Sequence, residues 1–160
     1  MRVENIIWDW NGTIVDDAWV FVSIMNGFLK NNNLPSTSLV AYRKNFCFPI
    51  QDYWKNLGFQ FNKKDFDRLN KDFISEYQKK LFSPKLHRGI KSLLHYIKKQ
   101  NVNQFVLSAS EQSILNKSIN YYNIQNVFKG IFGVDNLNAT GKELLGKKLC
   151  LKYKLNNRKT

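Results

Sequence analysis

Acidic residues are scarce in this chain: 12 Asp and Glu stand against 25 Lys and Arg, a formal net charge of +13 over 160 residues. Cysteine, histidine and proline are scarcer still, at two, two and three. Cys47 and Cys150 lie far apart without CxxC spacing, so neither a disulfide framework nor a thiolate metal site is expected, and both read as reduced, partly buried small hydrophobes. His87 and His95 sit in or before a helix with no Cys or carboxylate cluster nearby, which argues against a histidine metal centre. No segment approaches the roughly 18–20 uninterrupted apolar residues of a membrane span, and the N-terminal residues lack the apolar stretch of a secretory signal. A cytoplasmic protein with no membrane partner is the expectation. A surplus of cations attracts phosphate backbones. Here, however, Lys and Asn are spread throughout, and the densest run, Lys142 through Lys147, Lys148, Lys152, Lys154, Arg158 and Lys159, falls mostly on one helix and its tail. That is the pattern of a solvated helix face. Nucleic acid is therefore not expected as a partner, while small anionic substrates are drawn by the same charge.

What is present in quantity is globular: 43% of residues are hydrophobic, enough at this length for one core with a small insertion. Residues 3–9 read as a strand, with Ile6, Ile7 and Trp8 delivering the carboxylate of Asp9 to a turn at Gly12. Glycine lets the backbone turn sharply and bring N–H groups toward an anion. Phe105-Val106-Leu107 is a second apolar run, closing at Ser108 with Ala109 next, and Ile131 to Asp135 reads as a third, followed by Lys142 at a helix start. Helical patterns lie between them, with Ile90, Leu93, Leu94 and Ile97 on one face of the first and Ser113 to Tyr122 forming the second. Strand, helix, strand in alternation argues for right-handed parallel crossovers, hence an α/β fold with a Rossmann-like sheet. Ligands in such sheets bind beyond the carboxyl ends of the strands. Residues 17–83 are helical throughout, interrupted near Asn31–Ser38 and at Phe48-Pro49-Ile50. Asp16 or Asp17 is placed to cap the helix starting near Ala18, and Phe66, Leu69, Phe73, Ile74 and Tyr77 form a buried stripe on a helix near 63–80. The expected organisation is a core of residues 1–16 and 84–160 with a helical insertion at 17–83.

The segment Asp9-Trp10-Asn11-Gly12-Thr13 resembles the first motif, Asp-x-Asp-Gly-Thr, of the haloacid dehalogenase (HAD) superfamily. Ser108 closing a hydrophobic strand resembles its second motif and Lys142 its third. Arg88-Gly89-Ile90 leading into a helix, and Phe128 before a strand, look like the phosphoglycolate phosphatase branch. The resemblance spans nearly the whole chain. It implies that 17–83 is a small helical cap and that the protein is a Mg²⁺-dependent phosphatase acting on a small phosphorylated metabolite, with phosphoglycolate-type substrates the nearest analogy. In that scheme Asp9 attacks phosphorus and forms an aspartyl-phosphate, Lys142 supplies positive charge, and Gly12, Thr13, Ser108 and the Ala109 N–H hold or steady the phosphate. Mg²⁺ is held by Asp9, by the backbone carbonyl of Asn11 and by a carboxylate from a fourth motif.

Two departures bear on activity. The second acidic residue of the first motif protonates the leaving group and activates water, and Asn11 in its place can do neither, a loss on the order of 10²- to 10⁴-fold. After Lys142 the family pattern continues to another strand ending in Gly-Asp, which these 160 residues do not contain. The expectation is a core lacking its C-terminal strand or strands, in a fragment, a shortened relative or a protein completed by a partner. The first strand would then have an open apolar edge, and a homodimer is expected unless the C-terminal tail covers it. A non-catalytic HAD-like binding or interaction protein stays open as the alternative.

Overall fold

In the computed structural model, described for residues 2–137, 139–156 and 158–160, three parallel strands carry the core. They are β1 (Asn5–Trp8), β4 (Asn103–Glu111) and β5 (Gly130–Val134), in the spatial order β1-β4-β5. Ile7 stands beside Phe105 and Val106 beside Ile131. Phe105 and Val106 are fully buried, as the middle strand of a parallel sheet covered on both faces requires. Helices α5 (Ile90–Lys99) and α6 (Gln112–Tyr121) supply the crossovers into β4 and β5, and α7 (Lys142–Lys152) follows β5. A cluster formed by Trp10, Ile14, Leu94, Val106, Leu115 and Ile119 packs between the sheet and the helices.

A second pair of strands fixes the helical insertion. β2 (Val15–Asp16) and β3 (Lys85–Leu86) run antiparallel, with Val15 opposite Leu86 and Asp16 opposite Lys85. The chain therefore leaves and re-enters the core at adjacent points. Between them lie α1 (Ala18–Asn31), α2 (Leu39–Asn45), α3 (Ile50–Asn56) and α4 (Lys63–Lys79). These helices build their own core, including Leu29, Trp54, Phe59, Phe66, Phe73 and Tyr77. Side-chain caps start two of them: Ser38 accepts from the Ala41 N–H and Asn62 from the Asp65 N–H. No helix among the described residues is long and apolar enough to cross a membrane. Cys47 and Cys150 are both free thiols.

Three local expectations are corrected. Asp17 occupies the N-cap position of α1 yet makes no side-chain cap hydrogen bond, because its carboxylate is turned toward the Gly12 turn. Strand β4 does not close at Ser108 but runs on to Glu111, which stands beside Val134 after a break in register beyond Leu107. β1 is shorter than residues 3–9 and lies at an edge of the described sheet, so Ile6, Ile7 and Trp8 are half-buried rather than enclosed. The tail meets the start of that edge: the Lys159 carbonyl accepts from the N–H groups of Glu4 (2.9 Å) and Asn5 (3.1 Å), and the Lys159 ammonium pairs with Glu4 at 2.7 Å.

Gly133 permits the irregular end of β4. A methyl group there would stand 2.7 Å from the Ser110 carbonyl and 2.8 Å from the Gln112 Cα, both backbone atoms that cannot swing aside. Gly133→Ala is expected to cost about 1–3 kcal/mol through overpacking. The urea midpoint measures the loss, and an unchanged midpoint would show that the end of β4 yields freely.

Candidate active site

Asp9 is the first residue beyond β1, and Lys142 is the first residue of α7. The folded chain brings them together, with the Lys142 Nζ 2.5 Å from an Asp9 carboxylate oxygen. The side chains are 34% and 44% exposed respectively, so the pair contributes only about 0–1 kcal/mol to stability. Its consequence is chemical: a carboxylate oxygen and an ammonium are held side by side at the carboxyl end of a parallel sheet.

The turn after Asp9 is wound around the Trp10 carbonyl, which accepts from the N–H groups of Thr13, Ile14 and Val15. Gly12 adopts φ +72° at its apex, a conformation glycine enters without steric cost. Its N–H points to the Val15 carbonyl and to an Asp17 carboxylate oxygen, each at 2.9 Å, instead of standing free for an anion. Thr13 is exposed, and its hydroxyl makes no hydrogen bond among the described residues. His87 reaches the same turn, with Nε2 3.2 Å from the Gly12 carbonyl oxygen and 3.9 Å from an Asp16 oxygen.

Asn11 is the junction of the site. Its amide nitrogen donates to Asp17 (2.5 Å) and to the Tyr77 hydroxyl (3.1 Å). Its amide oxygen accepts from the hydroxyls of Ser110 (2.7 Å) and Ser108 (3.4 Å). Tyr77 in turn donates to Asp17 at 2.8 Å. An amide has two donors and two acceptor lone pairs, and all four are engaged within the protein. Asp17 is fully buried, and that burial raises its carboxyl above the usual aspartate range even though the hydrogen bonds from Asn11, Tyr77 and Gly12 pull the other way. Burial, and then the neighbouring Asp17, push the Tyr77 hydroxyl upward as well.

A cavity of about 370 Å³ opens beside this network, between the sheet end and the helical insertion. Asp9, Asn11, Gly12, Ala109, Ser110 and Lys142 form its core side, and Phe21, Tyr42, Arg43, Phe46, Ile74 and Tyr77 are among those facing them. Ser108, 1% exposed, lies behind this wall and accepts from the Ser110 N–H. Of the residues singled out in the sequence, Asp9, Asn11, Gly12, Ala109 and Lys142 thus line one cavity, while Ser108 touches it only through Asn11 and Ser110, and Thr13 stands outside. Tyr77 and Ser110 were not recognisable as site residues from local pattern, whereas Asp17, like Asp16, stood in the sequence as a possible substitute for the acid missing at position 11, with helix capping the simpler account. The only signal for Tyr77 was its hydroxyl, the one polar tip on an otherwise apolar stripe.

Among the described residues, no group of three or more His, Cys, Asp and Glu is placed to hold a metal ion. The donors expected from the resemblance are the Asp9 carboxylate, which lines the cavity, and the Asn11 backbone carbonyl. Both are hard oxygens of the kind Mg²⁺ accepts, and Mg²⁺ commonly completes its shell with water and substrate phosphate. The set fits that ion, and two protein donors make for weak binding in the absence of phosphate.

A family model described as haloacid dehalogenase-like hydrolase matches residues 6–159. No curated protein matches the chain. Solved structures do. A protein from Haemophilus somnus 129PT, described as a predicted phosphoglycolate phosphatase, is 19% identical with a TM-score of 0.77 over 99% of this chain and 75% of its own. A haloacid dehalogenase-like family hydrolase from Streptococcus pneumoniae is 18% identical, TM-score 0.76, over 96% and 71%. A protein from Clostridium acetobutylicum, described as a predicted phosphatase, is 15% identical, TM-score 0.82, over 99% and 74%. At these identities the likeness to the structures is one of fold.

The buried Asp17 generates a pH prediction. Its carboxyl, raised in the fold from an ordinary value of 3.8, binds its proton more tightly folded than unfolded. Its contribution to stability therefore declines as pH rises from about 4 through the folded-state value. Subtracting the Asp17→Asn stability curve from that of the parent, both by urea denaturation between pH 4 and 8, should give a difference that falls with pH. A flat or rising difference would mean Asp17 is ionised in the fold at no cost.

Proposed function

The chain belongs to the haloacid dehalogenase-like hydrolases, and from that membership we propose that it is a cytoplasmic, Mg²⁺-dependent phosphatase that cleaves a small phosphomonoester through a phosphoryl group carried on Asp9. The observation that carries this reading is the Asp9 carboxylate at a strand end, 2.5 Å from the Lys142 ammonium, on the wall of a cavity. A carboxylate oxygen of Asp9 attacks phosphorus in line, the bond from phosphorus to the alcohol oxygen breaks, and the alcohol leaves. Water then attacks the aspartyl-phosphate, releasing inorganic phosphate and restoring Asp9. Lys142 offsets the negative charge of carboxylate and phosphate throughout. Ala109, at the break in the β4–β5 register, would turn its N–H to a phosphate oxygen. Asp9 and the Asn11 carbonyl would hold Mg²⁺, which spreads the charge of the phosphate oxygens. The helical residues 17–83 would serve as the cap that shields these steps from bulk water.

Asn11 has no proton to give the departing oxygen or to take from the incoming water. Its amide is committed to Asp17, Tyr77, Ser108 and Ser110. Both proton exchanges then fall to solvent, and turnover slower by about 10²- to 10⁴-fold than with a general acid in place follows. That same closed amide, with the small metal donor set, favours a second reading: a protein that binds a phosphorylated ligand without turning it over.

Hydrolysis of p-nitrophenyl phosphate that requires Mg²⁺ and vanishes in Asp9→Asn, with an unchanged circular dichroism spectrum, is the expected result. Absence of turnover with Mg²⁺ present would leave only the binding reading. Lys142→Ala is expected to lower kcat/KM. A paired exchange probes position 11. Asn11→Asp alone sets a second carboxylate against Asp17 and should lower stability, whereas Asn11→Asp combined with Asp17→Asn restores one amide and one acid to the junction. The double variant should recover stability and turn over faster than the parent. A double variant no faster than the parent would show that proton exchange does not limit the rate.

A further inference from the structure

Within the phosphatase reading just given, we infer that the cavity takes a phosphomonoester whose alcohol half is apolar, an alkyl or aryl group, in preference to a short polar acid. The cavity has two unlike ends. Asp9, Lys142 and Ser110 mark the end where phosphate would sit. The opposite wall, from the helical insertion, is built from Phe21, Tyr42, Phe46, Phe48, Ile50 and Ile74. Binding sites in general place a few polar groups in a mostly apolar lining. Here the insertion supplies mostly apolar side chains, with Arg43 and Tyr77 among them, and the sheet end supplies the charged pair, which suits a ligand with a charged head and an apolar body.

A second observation extends the apolar end. A smaller void of about 70 Å³ lies behind it, sharing Phe21, Tyr42, Phe46, Ile50 and Ile74 with the main cavity and reaching Trp54 and Phe73 in the insertion's own core. The apolar wall therefore continues inward as a recess. Two of its aromatics also stand partly in water, although Phe46 packs against Tyr42 and Tyr53 as well. Phe46 is 36% and Phe48 56% exposed, and their rings contact each other edge to face at 5.2 Å. A ligand that covered them would gain the transfer free energy of those ring faces.

The competing occupant is a small acid such as a two-carbon phosphorylated carboxylate, for which Arg43 would supply the second cation. Arg43 lines the cavity and makes no ion pair among the described residues. It is also exposed and solvated, and an ion pair in that setting gains little. A two-carbon acid would leave the six apolar side chains uncovered. The apolar contribution is the larger, and it decides the class.

Binding of alkylphosphonates, measured by calorimetry in the presence of Mg²⁺, tests this without relying on turnover, since their carbon–phosphorus bond is not cleaved. Affinity should rise from methyl- through propyl- to hexylphosphonate, by about fourfold for each methylene that enters the apolar end, and 2-phenylethylphosphonate should bind more tightly than methylphosphonate. Phe48→Ala, a change at a largely exposed position, should weaken hexylphosphonate more than methylphosphonate. Equal affinity along the series, no binding of any member, or phosphonoacetate binding more tightly than hexylphosphonate would overturn the inference. Graded binding without hydrolysis of any phosphomonoester sinks the phosphatase reading and leaves the apolar subsite standing. Hydrolysis of p-nitrophenyl phosphate with a flat phosphonate series does the reverse.

Discussion

One amide holds the end of the sheet together. The side chain of Asn11 links three segments that the chain brings from different distances: Asp17 six residues on, Tyr77 66 residues on, and Ser108 and Ser110 97 and 99 residues on. Because every donor and acceptor of the amide is used, the junction pays no desolvation penalty for an orphaned polar group, and it behaves as a fully satisfied network that rigidifies its surroundings. The turn that positions Asp9 and the wall that carries Ser110 are both fixed to it. So is Tyr77, and with it the helical insertion. A carboxylate at position 11 would stand against that of Asp17, so the identities of the two residues constrain each other.

The large-scale fold was readable because its signals are local and repetitive. An apolar run that ends at Asp9, another that ends near Ser108 and helical periods between them specify an α/β order without any knowledge of contacts. Lys142 was readable for the same reason, as the first residue of a helix that follows a strand. The errors arose where a local rule met a distant partner. Asp17 obeys every positional criterion for a helix cap, but the Gly12 N–H and the Asn11 amide compete for the same oxygens and prevail. Ser108-Ala109-Ser110 reads as a polar loop, yet Gly133 on the neighbouring strand leaves room for the backbone to continue as strand to Glu111. Tyr77 keeps the period of a buried stripe, and periodicity says nothing of where its hydroxyl will land.

The charge distribution also reads differently once the chain is folded. The surface is strongly basic, yet four of the chain's 12 acidic residues, Asp9, Asp16, Asp17 and Glu111, line the one cavity where an anionic substrate is proposed to bind. Among the described residues, Lys142 and Arg43 are the only cations on that lining. A net charge of +13 draws anions toward the protein over long range, while close contact is locally unfavourable. A phosphate dianion meets this imbalance at the last few ångströms. That is the physical reason a divalent cation belongs in the proposed chemistry.

The 133-residue separation between Asp9 and Lys142 governs when, as well as where, the site exists. During synthesis Asp9 emerges 133 residues ahead of its partner. The helical insertion draws nearly all of its core from residues 20–81, so it can collapse while the rest of the chain is still being made, as N-terminal units commonly do. A nascent chain would pass through a long interval with a finished helical block and a lone, unpaired carboxylate. The Asp9–Lys142 pair would then form only with the docking of α7.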